Sequence, residues 1–332
     1  MPVSTHSLPS DPQPVSRADL FPPAAYLIGA PKCGTTALGH YLAGHPGVGF
    51  SNPKEPHYFS RDLRGLCLCD DFEAYRATFA PGPQAEVLME GSVWYLYSDS
   101  AITEILKARP DAKFIVMLRN PVKMLASLHR QLIHALDENE EDFRTAWDLS
   151  DARAAGKNIP RSCRAPSTLL YKRTAAFGEM LSRLYARVPR DRVLVLFQED
   201  MRADTPGIYR RTLAFLGLED DGRRDFPSIN EAKRARSKLV RYVVTRAGPA
   251  RQLVSRPIKR AFGLESLGLL KKLDALNTAK LAKVPVPADL AEEIAATYAE
   301  DMLLLQLLVG RDLADLGWPM PDPARPKSAA VG

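Results

Sequence analysis

Tyr26-Leu-Ile-Gly-Ala-Pro-Lys-Cys-Gly-Thr-Thr-Ala-Leu38 divides into three pieces. The apolar run Tyr26–Ile28 predicts a buried strand, Gly29–Thr36 a tight turn, and Ala37–Leu42 the opening of a helix. A strand–loop–helix of this kind directs backbone amides and a helix N-terminus at one anion. Loops that hydrolyse nucleotides read G-x-x-x-x-G-K-[ST]. Here Gly29 and Gly34 keep that spacing, but Thr35 stands where the lysine would be, and Lys32 lies inside the loop. A lysine after the second glycine reaches the β and γ phosphates of ATP. A lysine within the loop lies closer to the group on a 5′ phosphate, which favours a donor with a short 5′ anion. The plain alternative is an ordinary turn that happens to hold a lysine.

Moving outward, Lys113-Phe-Ile-Val-Met-Leu-Arg-Asn-Pro-Val-Lys-Met-Leu-Ala-Ser127 predicts a second strand–turn–helix. Arg119 ends the strand, Pro121 sits near the first helical position where a missing N–H costs nothing, and Ser127 comes about two turns later. In parallel α/β sheets ligands bind beyond the carboxyl ends of the strands. Arg119 and Ser127 should therefore face the same rim as the Lys32 loop, where an arginine fork and a hydroxyl suit a second phosphate. Further strands are expected at Val87–Gly91 and Arg192–Phe197. Helices are expected at Thr36–Ala43, Ser98–Arg109, Val122–Leu136, Leu169–Arg187 and Pro206–Leu216. The alternation predicts an α/β fold, a P-loop-like parallel β-sheet flanked by helices, with a mostly helical basic C-terminal extension.

The Gly-Ala-Pro-Lys-Cys-Gly-Thr-Thr loop and Leu-Arg-Asn-Pro with Ser127 together resemble the sulfotransferases that use 3′-phosphoadenosine-5′-phosphosulfate (PAPS). Arg192–Met201 and Tyr209–Leu218 are similar to the later core of that family, so the likeness spans about residues 24–240. The resemblance implies PAPS as co-substrate and its desulfated form PAP as product, with no metal in the transfer step. It implies that Lys32, Cys33, Gly34, Thr35 and Thr36 hold the 5′ end, and that Arg119 and Ser127 hold the 3′ phosphate. Asn230–Ser237 stands where the family carries a basic loop over that phosphate, without the Arg-Lys-Gly form of the cytosolic animal enzymes. Arg234 and Arg236 would fill that place.

Sulfuryl transfer also needs a base for the acceptor hydroxyl. Ser51-Asn-Pro-Lys-Glu-Pro-His-Tyr-Phe-Ser60 follows the loop helix. It resembles the segment carrying the catalytic glutamate of glycosaminoglycan-type and many bacterial sulfotransferases, which implies Glu55 as general base, while Lys32 and the loop amides suit stabilisation of the charge on the transferring group. His57, two residues on in an extended segment, would point to the same side and could orient the acceptor or be the base itself. A simple pairing of Glu55 with Lys54 is the structural alternative, and Lys54 could add positive charge near the sulfate.

The 332 residues allow one large α/β domain, expected over 23–318 with its core at 24–240 and a terminal helix at 287–308. A Pro- and Ser-rich arm at 1–22 and a tail at 319–332 flank it. No stretch reaches the roughly 18–20 apolar residues of a membrane span, and the arm lacks the apolar region of a signal peptide. A cytoplasmic protein is expected, with Cys33, Cys67, Cys69 and Cys163 reduced. A disulfide to Cys163 is the alternative. The Cys67/Cys69 pair has no second pair to complete a metal site.

The net charge of +6 is uneven. Residues 233–283 hold 14 Lys and Arg against Glu265 and Asp274, a local excess of +12. Three readings of this segment stay open: a helix packed on the domain with a solvated basic rim, a membrane-surface helix, or a groove for an anionic acceptor. The expected partner is a hydroxyl-bearing acceptor, with peripheral membrane contact through this segment under the second reading, and not nucleic acid. The competing functions are a P-loop kinase or NTPase, and a non-catalytic anion- or membrane-binding protein.

Overall fold

A computed structural model describes residues 21–69, 71–227, 229, 233–235, 278–280 and 285–320. Its centre is a parallel sheet of β1 (Ala25–Gly29), β2 (Val48–Phe50), β3 (Val87–Glu90), β4 (Lys113–Leu118) and β5 (Val193–Phe197), in the spatial order β2-β3-β1-β4-β5. β1 is buried along its whole length, and β4 at every residue after Lys113. Their unalternating apolar sequences suit strands covered on both faces.

Helices α1 (Thr35–Ala43), α2 (Phe72–Arg76), α3 (Ala101–Ala108), α4 (Pro121–Ala135), α5 (Phe143–Asp148), α6 (Ser150–Ala154), α7 (Phe177–Tyr185), α8 (Gln198–Ala203) and α9 (Thr205–Leu216) link and flank the strands. The starts and stops follow local chemistry. Asn120 Oδ1 accepts the Lys123 amide at 3.2 Å and Pro121 opens α4. Asp204 caps α9 through the Gly207 amide at 2.8 Å, and Gly217 ends it in the left-handed region.

The chain leaves β1 towards one edge of the sheet and, after β3, crosses to put β4 on the other side of β1. The order therefore reverses between β1 and β4, and the crevice at their carboxyl ends is where such sheets bind ligands. The Lys32 loop leaves β1 and Arg119 leaves β4, so both sequence motifs open into this crevice.

Three readings of the elements need correction. β2 was not foreseen, because three residues are too few for a periodic signal. The helix expected over Leu169–Arg187 begins only at Phe177. Before it, the amides of Arg173 and Thr174 bond back to Leu170 O at 2.8 and 3.1 Å and turn the chain. The single terminal helix expected over 287–308 is two, α10 (Ala288–Thr297) and α11 (Ala299–Val309). They meet at Tyr298, whose buried hydroxyl donates to Tyr171 O. In the segment over 233–283 the described residues are two short strands, β6 (Lys233–Ala235) and β7 (Thr278–Lys280), which pair antiparallel, with β6 against α4. Residues 236–277 and 281–284, including Arg236 and nearly all of the basic segment, lie outside the described residues, as do 1–20 and 321–332 of the expected arm and tail.

α10 and α11 complete the core rather than extend from it. Leu290, Ile294, Met302, Leu305, Leu313 and Trp318 are buried in the same cluster as the sheet. No disulfide joins Cys33, Cys67, Cys69 or Cys163. Among the described residues, no helix is long and apolar enough to cross a membrane, and no three His, Cys, Asp or Glu side chains are grouped to hold a metal ion.

Candidate active site

The loop after β1 is built to present amides. Gly34 has φ 93°, a conformation that a side chain would strain, and a Cβ there would lie 3.0 Å from Met201 Cε. Gly34 O accepts the amides of Ala37 and Leu38 at 3.0 and 3.2 Å, which starts α1. Among the described residues no side chain caps α1, and its first turn holds no acid, so the amides of Thr35 and Thr36 and the positive end of the helix dipole suit an external anion. Thr35 is buried and Thr36 exposed. Cys33 is fully buried, with its thiol turned back to Pro31 O at 3.5 Å. Burial pushes that thiol well above its usual range, so it remains a neutral packing group.

Lys32 also has a positive φ, 64°, and is half-buried. Burial lowers the pKa of its ammonium; Glu55 acts to raise it, and the guanidiniums of Arg119 and Arg130 lower it further. Arg119 Nη1 donates to Lys32 O at 3.1 Å, a direct bridge between the two motifs. Its Nε is buried with no hydrogen-bond partner among the described residues. Burial lowers its pKa as well, and Arg202 and Arg130 act in the same direction. Ser127 is half-buried on α4. Arg234 lies in β6, opposite Ala279.

The Lys54–Phe59 segment is stitched to the end of β3. Gly91 N donates to Lys54 O at 3.1 Å and Lys54 Nζ to Gly91 O at 3.0 Å. Lys54 Nζ also donates to Glu55 Oε1 at 2.7 Å, and His57 Nε2 lies 3.4 Å from Glu55 Oε2. Glu55 and His57 therefore do share a side, but for a different reason from the one expected. His57 has φ 54°, so the segment is not extended, and a tight left-handed turn brings the ring back. The Glu55 side chain is 35% exposed and that of His57 only 6%. Burial opposes ionisation of Glu55, yet the Lys54 ammonium and hydrogen bonds from His57 and Lys54 outweigh it and hold the carboxyl at about 2.

Sequence reasoning missed several residues here. Arg130, three residues after Ser127 and so on its face of α4, adds to the positive field at both Lys32 and Arg119. The i, i+3 spacing was the available signal. Glu199 Oε1 accepts the Asn120 amide at 3.2 Å and so ties α8 to the turn after Arg119. Met201 and Gln198 of α8 back Gly34, a contact between residues some 165 positions apart that no local pattern announces.

Comparison with known proteins identifies the family. The model of the sulfotransferase domain matches residues 22–226, well over half of the chain, and the chain belongs to that family. Carbohydrate sulfotransferase 15 of Mus musculus is 31% identical over 147 residues, covering 32% of this chain and 26% of that protein. Heparan sulfate glucosamine 3-O-sulfotransferase 3A1 of Mus musculus is 28% identical over 198 residues, covering 59% of this chain and 46% of that protein. The chain thus spans less than half the length of these curated relatives. A sulfotransferase structure from Alicyclobacillus acidocaldarius superposes with a TM-score of 0.65 at 23% identity, over 91% of this chain and 100% of that one, and has the same fold.

Proposed function

We propose that this protein moves a sulfuryl group from PAPS to an acceptor hydroxyl. The observation that supports the reading is the bond from Arg119 Nη1 to Lys32 O, which keeps the two cationic residues together at one crevice, and a nucleotide with 5′ and 3′ phosphates needs two such cations. The residues fit such a donor. The uncapped amides of α1 and Lys32 suit the phosphosulfate. The unpartnered Arg119 Nε and the Ser127 hydroxyl suit the 3′ phosphate, and Arg234 is assigned to it by its place in the sequence. Cys33 packs beneath the loop and contributes its backbone rather than its thiol.

In the transfer the acceptor oxygen forms a bond to sulfur while the bond from sulfur to the 5′-phosphate oxygen breaks. Lys32 and the loop amides stabilise the charge on the moving group and on the leaving phosphate. Glu55 takes the acceptor proton, because its carboxylate is the more accessible of the pair and is ionised at neutral pH. His57, largely buried behind it, orients that carboxylate. The names of the curated relatives make glucosamine-bearing oligosaccharides the first acceptors to try.

Calorimetry with PAP, AMP and ATP–Mg²⁺ tests the donor. PAP should bind at micromolar concentration and far more tightly than the other two. Equal affinity for PAP and AMP overturns the donor assignment, and preference for ATP–Mg²⁺ moves the chain to phosphoryl transfer. Incubation with labelled PAPS and a fractionated extract, followed by mass spectrometry for the added SO₃, then identifies the acceptor.

A further inference from the structure

Glu90, the last residue of β3, is completely buried, and the transfer mechanism makes no direct use of it. A carboxyl group at such a place is costly unless its oxygens are satisfied. Both are. Tyr75 Oη donates to Oε2 at 2.6 Å, and Ser92 Oγ donates to Oε1. A serine hydroxyl has one proton, so giving it to Glu90 leaves the oxygen as an acceptor only. That oxygen accepts the His57 amide at 2.9 Å.

His57 needs such an anchor. It sits in the left-handed region, which a non-glycine residue holds only when its surroundings impose it. Its carbonyl is pinned as well, accepting from Ser60 Oγ at 3.0 Å and from Cys67 Sγ at 2.8 Å. Three residues earlier, Lys54 is stitched to Gly91 through both its backbone and its ammonium. Consecutive residues Glu90, Gly91 and Ser92 thus hold the turn that carries Glu55 and His57. Of the three, Ser92 acts through a rotatable hydroxyl, and Glu90 fixes its direction. An apolar residue in place of Glu90 could fill the space but could not orient that hydroxyl.

We propose that Glu90 is a positioning residue of the transfer site. It acts through Ser92 on the His57 backbone, so that the His57 ring stands against Glu55. This rests on the reading of Glu55 and His57 as the acceptor side of a PAPS-dependent site.

The test uses the full-length chain with Glu90→Gln, Ser92→Ala and Ser92→Thr. Three readouts are taken: amide hydrogen exchange at His57, the imidazole ¹⁵N spectrum of His57 at fixed pH, and calorimetry with PAP. Turnover of PAPS to PAP is followed in parallel with glucosamine oligosaccharides as acceptor probe. Ser92→Ala should speed exchange at the His57 amide at least tenfold, move its ring resonances, and leave PAP affinity within twofold. Turnover should fall by about 10- to 100-fold, the range expected when a reacting group is displaced by about an ångström. Ser92→Thr, which keeps the hydroxyl, should restore all of these, and Glu90→Gln should fall between the two.

Unchanged exchange and ring resonances at His57 in a folded Ser92→Ala variant overturn the proposal. So does an equal loss of PAP affinity and turnover, which would mark the network as a support of the whole fold. Should Glu90→Gln not fold, Ser92→Ala and its threonine rescue decide alone. Failure of the wild type to bind PAP would instead overturn the donor reading and leave the exchange result standing by itself.

Discussion

Glu55 lies between two basic groups, Lys54 at 2.7 Å and His57 at 3.4 Å, and its behaviour follows from that. Glu55→Gln keeps the shape and removes the basicity, so PAP affinity should hold while turnover falls by roughly 10²–10⁴, the usual worth of a general base. A turnover unchanged in Glu55→Gln but lost in His57→Ala would move the base to His57. The Lys54 ammonium also makes a pH prediction. The folded Glu55 carboxyl, at about 2, lies below the ordinary value of about 4.3. Its pairing therefore stabilises the protein above about pH 4.3, and that contribution disappears as pH falls towards 2. Lys54→Met should raise the carboxyl towards its ordinary value, as carboxyl NMR would show. The stability difference between wild type and variant should be constant above about pH 5 and shrink on acidification. Arg119→Ala tests the other end of the crevice. Loss of a charge-assisted contact of about 1.5–3 kcal/mol corresponds to tenfold or more in PAP affinity, with AMP scarcely affected. Parallel losses for PAP and AMP would show that Arg119 acts only by holding the Lys32 carbonyl.

At the scale of elements, α7 depends on a partner distant in sequence. It has no side-chain cap of its own. Instead Asp301 of α11 accepts the amides of Gly178 and Glu179 at 2.9 and 2.8 Å. The approach is close enough that a Cβ at Gly178 would lie 2.3 Å from Asp301 O, a backbone atom that cannot step aside. Asp301→Ala should cost about 0.5–2 kcal/mol by loss of the cap. Gly178→Ala should cost roughly 1–3 kcal/mol by overpacking. Urea unfolding measures both, and the two changes should combine non-additively because they share one contact. Full additivity would separate the cap from the packing.

The molecule as a whole is larger than the region that the family model matches. Residues beyond 285 cover aromatic side chains of the central unit: Trp318 packs on Phe177 and Phe197, and Tyr298 on Trp147. Polar ties join the same surfaces. Trp147 Nε1 donates to Glu293 at 2.8 Å, and Arg311 binds both oxygens of Asp200 on α8, at 2.5 and 3.0 Å. A chain ending at residue 285 gives up the cost of ordering the removed residues but leaves these aromatics facing water. At about 1.5–3 kcal/mol each, three uncovered aromatics amount to roughly 5–9 kcal/mol, or at least about 10 °C in Tm. Calorimetric melting checks this, and an unchanged Tm would make the terminal helices an appendage.

The sequence by itself determined the parts that local chemistry writes. A strand, a glycine-spaced turn and a helix start at 26–38, and an arginine at the end of a strand before Pro121, both arise from neighbours a few residues apart. They predict two anion sites on one rim of a parallel sheet. Glu55 and His57 could be named from their segment, but their relative placement depends on a left-handed turn held by Ser92, some 35 residues away, which periodicity cannot encode. Only the tertiary structure decided that Glu90 stands behind His57, that Arg130 joins the cations around Lys32, and that α10 and α11 belong to the core. The reason in each case is the same. These contacts join residues brought together by crossovers of the sheet, and their energies depend on burial and distance, which exist only once the chain has folded.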